Sequence, residues 1–194
     1  MIIVKSTAGS QSWIVLPPVT DGHDKDLKLN DTSVLGDSDV WNNVAPSSTV
    51  FSVGSNAVMN ANDVALISYS FVEKQGYSKF SSYTGNGNAN GTFVYTGFKP
   101  AFFMIKRTTG SGYNWLMYDN KRQVSFNVVD DFLNADLGAA ETTGNANQSL
   151  DFLSNGVKHR GNGASSNGDG VVYIYMAFAE NPFTTSTGIP TTAR

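Results

Sequence analysis

Met176-Ala177-Phe178-Ala179-Glu180 closes the apolar run at residues 171–179, and Tyr69-Ser70-Phe71-Val72-Glu73 closes a matching run at residues 64–72. Both runs are apolar on both alternating faces, the pattern of strands covered on two sides, so both are expected to be central strands. Asn60 and Asp63 precede the first run as Asn167 and Asp169 precede the second. A further match lies upstream of each: Val4-Lys5-Ser6-Thr7-Ala8-Gly9-Ser10, leading to Trp13, lines up with Ile105-Lys106-Arg107-Thr108-Thr109-Gly110-Ser111, leading to Trp115. Each unit therefore reads as an apolar strand ending in Lys, a Trp strand, an irregular middle, and a long strand ending in Glu.

The repeat predicts one fold built from two related halves, residues 1–75 and 102–183, each offering a sheet face that the other covers. Residues 76–101 form a connecting hairpin and residues 184–194 a tail. The hairpin has no counterpart before Met1, which sits where Phe102 sits in the later copy; the expectation is that the sequence begins partway through a longer protein. Further strands are expected at residues 1–4, 12–16, 50–53, 77–84, 92–98, 102–107, 114–118 and 124–129, where short apolar runs alternate with turn chemistry. Thr84-Gly85-Asn86-Gly87-Asn88-Ala89-Asn90-Gly91 reads as a hairpin tip, since Asn and Gly accept the positive φ of a tight reversal. A short helix is expected within residues 127–144, where Asp130 and Asp131 precede Phe132, Leu133 and Leu137, and Gly138 provides a stop.

Composition supports an all-β, antiparallel sandwich. Among 194 residues there are 19 Gly, 8 Tyr and 12 Phe, and only 15% are charged, a balance that favours strands and turns over helices. The net charge of −3, from 13 basic and 16 acidic residues, is spread without a basic run to follow a phosphate backbone, so nucleic acid is not an expected partner. With no cysteine, disulfides and thiolate metal sites are excluded. Met1-Ile2-Ile3-Val4 is cut short by Lys5, and membrane insertion is not expected.

Few residues suggest catalysis. Asp130-Asp131 and Asp37-Ser38-Asp39 are the acidic pairs near strands, and both sit in turn contexts where Asp accepts backbone hydrogen bonds. His23 and His159 lie near no nucleophile-elbow pattern. Asp21, Asp24 and Asp26 gather oxygen ligands around Gly22, so calcium is the one metal to consider, although Lys25 interrupts the loop and no bidentate Glu follows. Residues 161–168 are Gly-rich but lead into a strand rather than a helix, which argues against phosphate binding. The best ligand-binding cluster is Trp41 with Asp37, Asp39, Asn42 and Asn43: Trp41 is either an aromatic platform or a packing residue, whereas Trp13 and Trp115 read as core.

Tyr83-Thr84-Gly85-Asn86-Gly87, then Thr96-Gly97-Phe98-Lys99-Pro100-Ala101-Phe102-Phe103-Met104-Ile105-Lys106-Arg107, resembles a repeat of tail-fibre and other virion proteins of tailed bacteriophages, especially marine ones. Asp151-Phe152-Leu153-Ser154-Asn155-Gly156-Val157-Lys158, the strand Tyr173-Ile174-Tyr175-Met176-Ala177-Phe178-Ala179-Glu180, and the closing Thr192-Ala193-Arg194 fit the same pattern, which residues 21–41 leave. The resemblance implies a jelly-roll, concanavalin-like or laminin-G-like sandwich without established chemistry, exposed on a virion surface. The expected role is non-enzymatic adhesion to a host cell-surface glycan or protein receptor, with other virion subunits as neighbours and a homo-oligomer, a trimer by analogy with phage fibres. A purely structural decoration or spacer protein and a polysaccharide depolymerase are the rival readings.

Overall fold

In the computed structural model, which describes residues 1–19, 23–123, 125–182, 184 and 187, the strand β13 (Val172–Ala179) divides its side chains by parity. Tyr173, Tyr175 and Ala177 enter one apolar cluster, while Ile174, Met176 and Phe178 enter another. Successive residues of a strand point to opposite faces, so a strand apolar at every position must be covered on both.

The chain runs β1 (Ile2–Ser6), β2 (Trp13–Leu16), β3 (Lys25–Lys28), β4 (Gly36–Asp37), a single helical turn α1 (Ala57–Asn60) and β5 (Leu66–Ser70). It continues through β6 (Ser78–Thr84), β7 (Phe93–Tyr95), β8 (Pro100–Arg107), β9 (Leu116–Asp119), β10 (Leu133–Asn134), β11 (Leu150–Leu153), β12 (Gly156–His159) and β13. Among the described residues three antiparallel sheets result: β4-β3-β2-β1-β5, β10-β9-β8-β13-β6, and β11-β12-β7. The fold is an all-β sandwich. Its central layer joins the first two sheets through Ile3, Val15 and Leu27 on one side and Met104, Trp115, Ile174 and Met176 on the other. Outside sheet one, Ile2, Val4, Ile14 and Leu16 are covered by Val40, Trp41 and Met59. Beyond sheet two, Phe103, Ile105, Tyr118 and Tyr175 pack on Phe152 and Val157 of the third sheet.

Sheets one and two share strand order and register at the repeated residues. The order β5-β1-β2-β3 has the form of β13-β8-β9-β10. Lys5 pairs with Ile67, and Lys106 with Ile174. Leu29 N donates to Trp13 O (2.9 Å) while Asn30 Oδ1 accepts from Trp13 N (2.8 Å). Ala135 N likewise donates to Trp115 O (3.1 Å), and Asp136 Oδ1 accepts from Trp115 N (3.1 Å). Trp13 and Trp115, and Phe71 and Phe178, all face the central layer, where the two phenylalanine rings lie 6.1 Å apart.

Several expectations are corrected. Residues 64–72 supply not a central strand but β5, an edge with all five residues exposed. Residues 76–101 are not a hairpin: β6 pairs with β13 and β7 with β12, because the Asn/Gly tip is drawn onto Asn167, whose Nδ2 donates to Asn86 Oδ1, Asn88 O and Gly161 O. The span expected to be helical forms β10 instead, with bridges from Val129 to Leu150 and from Phe132 to Thr142 that carry both apolar residues into the outer core. Residues 50–53 and 125–128 form no strand, and Val124 lies outside the described residues. Of the tail, only Thr184 and Thr187 are described.

An experimental structure is expected to superpose β5-β1-β2-β3 on β13-β8-β9-β10 with Trp13 on Trp115 and Phe71 on Phe178; either pair on opposite faces would refute the duplication. Trp115 is 1% exposed and its Nε1 donates to Lys28 O across the sheets (2.8 Å). Trp115→Ala should therefore cost about 3–5 kcal/mol in denaturant unfolding, and Trp13→Ala, at a half-buried position, about 1–2 kcal/mol.

Candidate functional site

Strand β4 is where sheet one ends and the candidate cluster begins. Its Asp37 lies opposite Lys25 of β3 and forms an ion pair with it, and Ser38 N donates to Asp24 O (2.6 Å). The chain then turns sharply: Asn42 N donates to Asp39 O (3.2 Å), and Asn42 and Asn43 adopt φ of 54° and 47°. Asn accepts this left-handed conformation at lower cost than most side chains, which is why two in succession serve here. Gly54 presses against the same turn, donating its N–H to Val40 O (2.8 Å). A Cβ at Gly54 would lie 1.4 Å from Asp39 O, so no other residue fits without moving the loop.

The structure brings Asp37, Asp39, Asn42 and Asn43 together, with Asp24 and Ser38, around one open depression of about 490 Å³. Asp39 Oδ2 accepts from Ser55 Oγ (2.8 Å), and hydrogen bonds from Ser55 and Asn56 hold its carboxyl below the usual carboxylate range. Asn43 Oδ1 accepts from His23 N (3.2 Å), tying the neighbouring loop to the rim. Asp37, Asp39, Asn42 and Asn43 thus bring carboxylate and amide side chains to this depression, groups able to meet hydroxyl and N–H donors.

Trp41 is not part of that rim. It is 0% exposed, packs edge-on against Phe51 at 6.1 Å, and belongs to the core beneath sheet one. Of the two roles open to Trp41, aromatic platform or packing residue, the structure shows the packing one and removes it from the ligand-binding cluster, because the outer face of sheet one needs a large apolar cover and the turn aims residue 41 inward. Asp24 lines the depression, Asp26 is buried in β3 and lines a different cavity, and Asp21 lies outside the described residues. No cluster of three or more His, Cys, Asp or Glu side chains suited to a metal occurs among the described residues. Asp130 and Asp131 serve their loops: Asp130 Oδ1 accepts from Gln123 Nε2 and Asp131 Oδ1 from Gly144 N (2.8 Å).

Exposed aromatics escaped sequence reading. On β7, Phe93 and Tyr95 face solvent while Val94 is buried. The Phe93 ring lies over Gly156 of β12, where a Cβ would meet it at 2.9 Å. Tyr95, 63% exposed, borders a polar groove of about 420 Å³ with Glu73, Lys74, Gln75 and Thr96. The alternation in Phe93-Val94-Tyr95 marks a two-faced strand, but only the packed layers decide which face stays open.

A scan against family models matches residues 1–182 to a domain of unknown function, DUF7483. The chain belongs to the DUF7483 family. No curated protein and no solved structure matches it.

His159 has no exposed surface, stacks on Tyr83 at a centroid distance of 5.0 Å, and finds no hydrogen-bond partner for either ring nitrogen among the described residues. Burial, reinforced by Lys158, pushes its pKa down to about 3. The unfolded chain takes up this proton near pH 6.5 and the folded chain only near pH 3, so stability should fall as the pH drops through that window. About 3 kcal/mol should be lost between pH 6.5 and pH 4 from this group. Equilibrium unfolding of His159→Phe, which keeps a ring against Tyr83, should show an acid limb flatter by that amount.

Proposed function

We propose that this chain is a non-enzymatic adhesion module that binds a surface glycan through the depression formed by Asp24, Asp37, Asp39, Asn42 and Asn43. The observation that carries this reading is the convergence of those side chains around one open depression at a turn with two left-handed Asn residues. Carboxylate oxygens accept, and amides both accept and donate, so such a set suits the paired hydroxyls along the edge of a sugar ring. The engagement of Asp130 and Asp131 in loop hydrogen bonds favours binding over cleavage. Placement on a phage virion, with a host receptor as target, follows from the sequence resemblance described above. A second reading, a structural virion subunit, draws support from the uncharged exposed edge of β5.

A shallow, open site gives weak monovalent binding, in about the millimolar range, so adhesion depends on several linked copies. Binding should be measured against immobilised oligosaccharides and bacterial envelope polysaccharides, with monomeric and multimerised protein. Asn42→Gly keeps the backbone conformation and removes the amide, and Asp39→Ala removes the fixed carboxylate. Each should weaken binding about tenfold, while Tyr95→Ala leaves it unchanged. Undiminished binding by both rim variants together with loss in Tyr95→Ala would transfer the site to the β7 groove, and no glycan binding by the multimer would favour the structural reading.

A further inference from the structure

The two equivalent strands β5 and β13 differ in one respect. On β13, Ile174 and Met176 are 1% and 5% exposed because β6 pairs along its second edge. On β5, the corresponding Ile67 and Tyr69 are 47% and 46% exposed, since no strand pairs with that edge among the described residues. Phe71 N donates to Met1 O and Thr7 N to Ala65 O, so the odd residues of β5 bond inward to β1. By alternation, the N–H and C=O groups of Leu66, Ser68 and Ser70 point outward from the sheet edge. Among the described residues nothing covers this edge, and residues 64–72, Val-Ala-Leu-Ile-Ser-Tyr-Ser-Phe-Val, contain neither a charge nor a proline. Those are the devices by which proteins prevent unwanted strand pairing, and a strand lacking them is shaped to be paired.

We propose that β5 is the docking edge for a second copy of this chain, pairing antiparallel with its own counterpart about a two-fold axis through Ser68. In that register Leu66 faces Ser70 of the second copy, and Ser68 faces Ser68. These are the residues whose main-chain groups point outward, so about six hydrogen bonds form across the axis. Ile67 and Tyr69 become cross-strand neighbours on the inner face, an aromatic and β-branched pair that covers the surface left open by the missing strand. The small serine side chains meet at the axis without steric or charge conflict. Sheet one then continues through the interface, and the assembly is an isologous dimer rather than the trimer expected by analogy.

The chain has no cysteine, so a single introduced thiol reports the register. The mass of the full chain should be measured by light scattering across micromolar concentrations, together with disulfide formation in Ser68→Cys, Leu66→Cys and Ser70→Cys. A dimer is expected, with Ser68→Cys cross-linking fastest, since only residue 68 meets itself at disulfide distance. Ser68→Lys, which sets two ammonium groups face to face, should raise the dissociation constant at least about tenfold while leaving the far-UV circular dichroism unchanged. A monomer at every concentration would overturn the proposal, as would a dimer that survives Ser68→Lys or that cross-links equally at residues 66, 68 and 70. A complex in which a strand of another protein occupies β5 would also overturn it.

Discussion

Sheet two is apolar on both faces, and sheet one and the third sheet are placed by the need to cover it. Its strand β13 sends Ile174 and Met176 toward sheet one and Tyr173 and Tyr175 toward the third sheet. Neither face can be left to water without exposing a row of large side chains, and burial of such rows is the main favourable term in folding. Trp115 fastens the inner contact, since its ring fills the central layer while its Nε1 bonds Lys28 O of sheet one.

The outer layers cover sheet one and sheet two in two different ways. The middle segment of the first half folds over sheet one as an irregular layer bearing Val40, Trp41 and Met59. In the second half the middle segment forms β11 and β12, which recruit β7 into a small sheet. Both solve the same burial problem. The irregular solution leaves turns at the end of the sandwich, and the open rim of Asp37, Asp39, Asn42 and Asn43 arises from those turns. The sheet solution leaves a regular outer face, on which Phe93 and Tyr95 are displayed.

Burial also separates residues that composition alone makes look alike. Asp39 and His159 are both titratable groups near turns or strand ends, yet one is a solvent-facing carboxylate held in its charged form by Ser55 and Asn56, and the other a desolvated imidazole held neutral. The first retains the means to meet a polar ligand; the second is an acid-sensitive part of the core.

The amino-acid sequence determined the β class, through short alternating runs and turn residues, and it made legible the shared register of sheets one and two, through Lys5 with Trp13 and Lys106 with Trp115. It also brought forward the polar residues of the rim, because neighbours in sequence on a turn remain neighbours in space. It did not reveal that Trp41 points inward, that β6 and β7 join different sheets, or that β5 is an edge where β13 is central. Local pattern specifies which residues share a strand face, since the pleat has a period of two. What covers that face depends on contacts distant in sequence: the bond from Trp115 to Lys28, the seating of the 84–91 turn on Asn167, and β6 beside β13 with no equivalent beside β5 among the described residues.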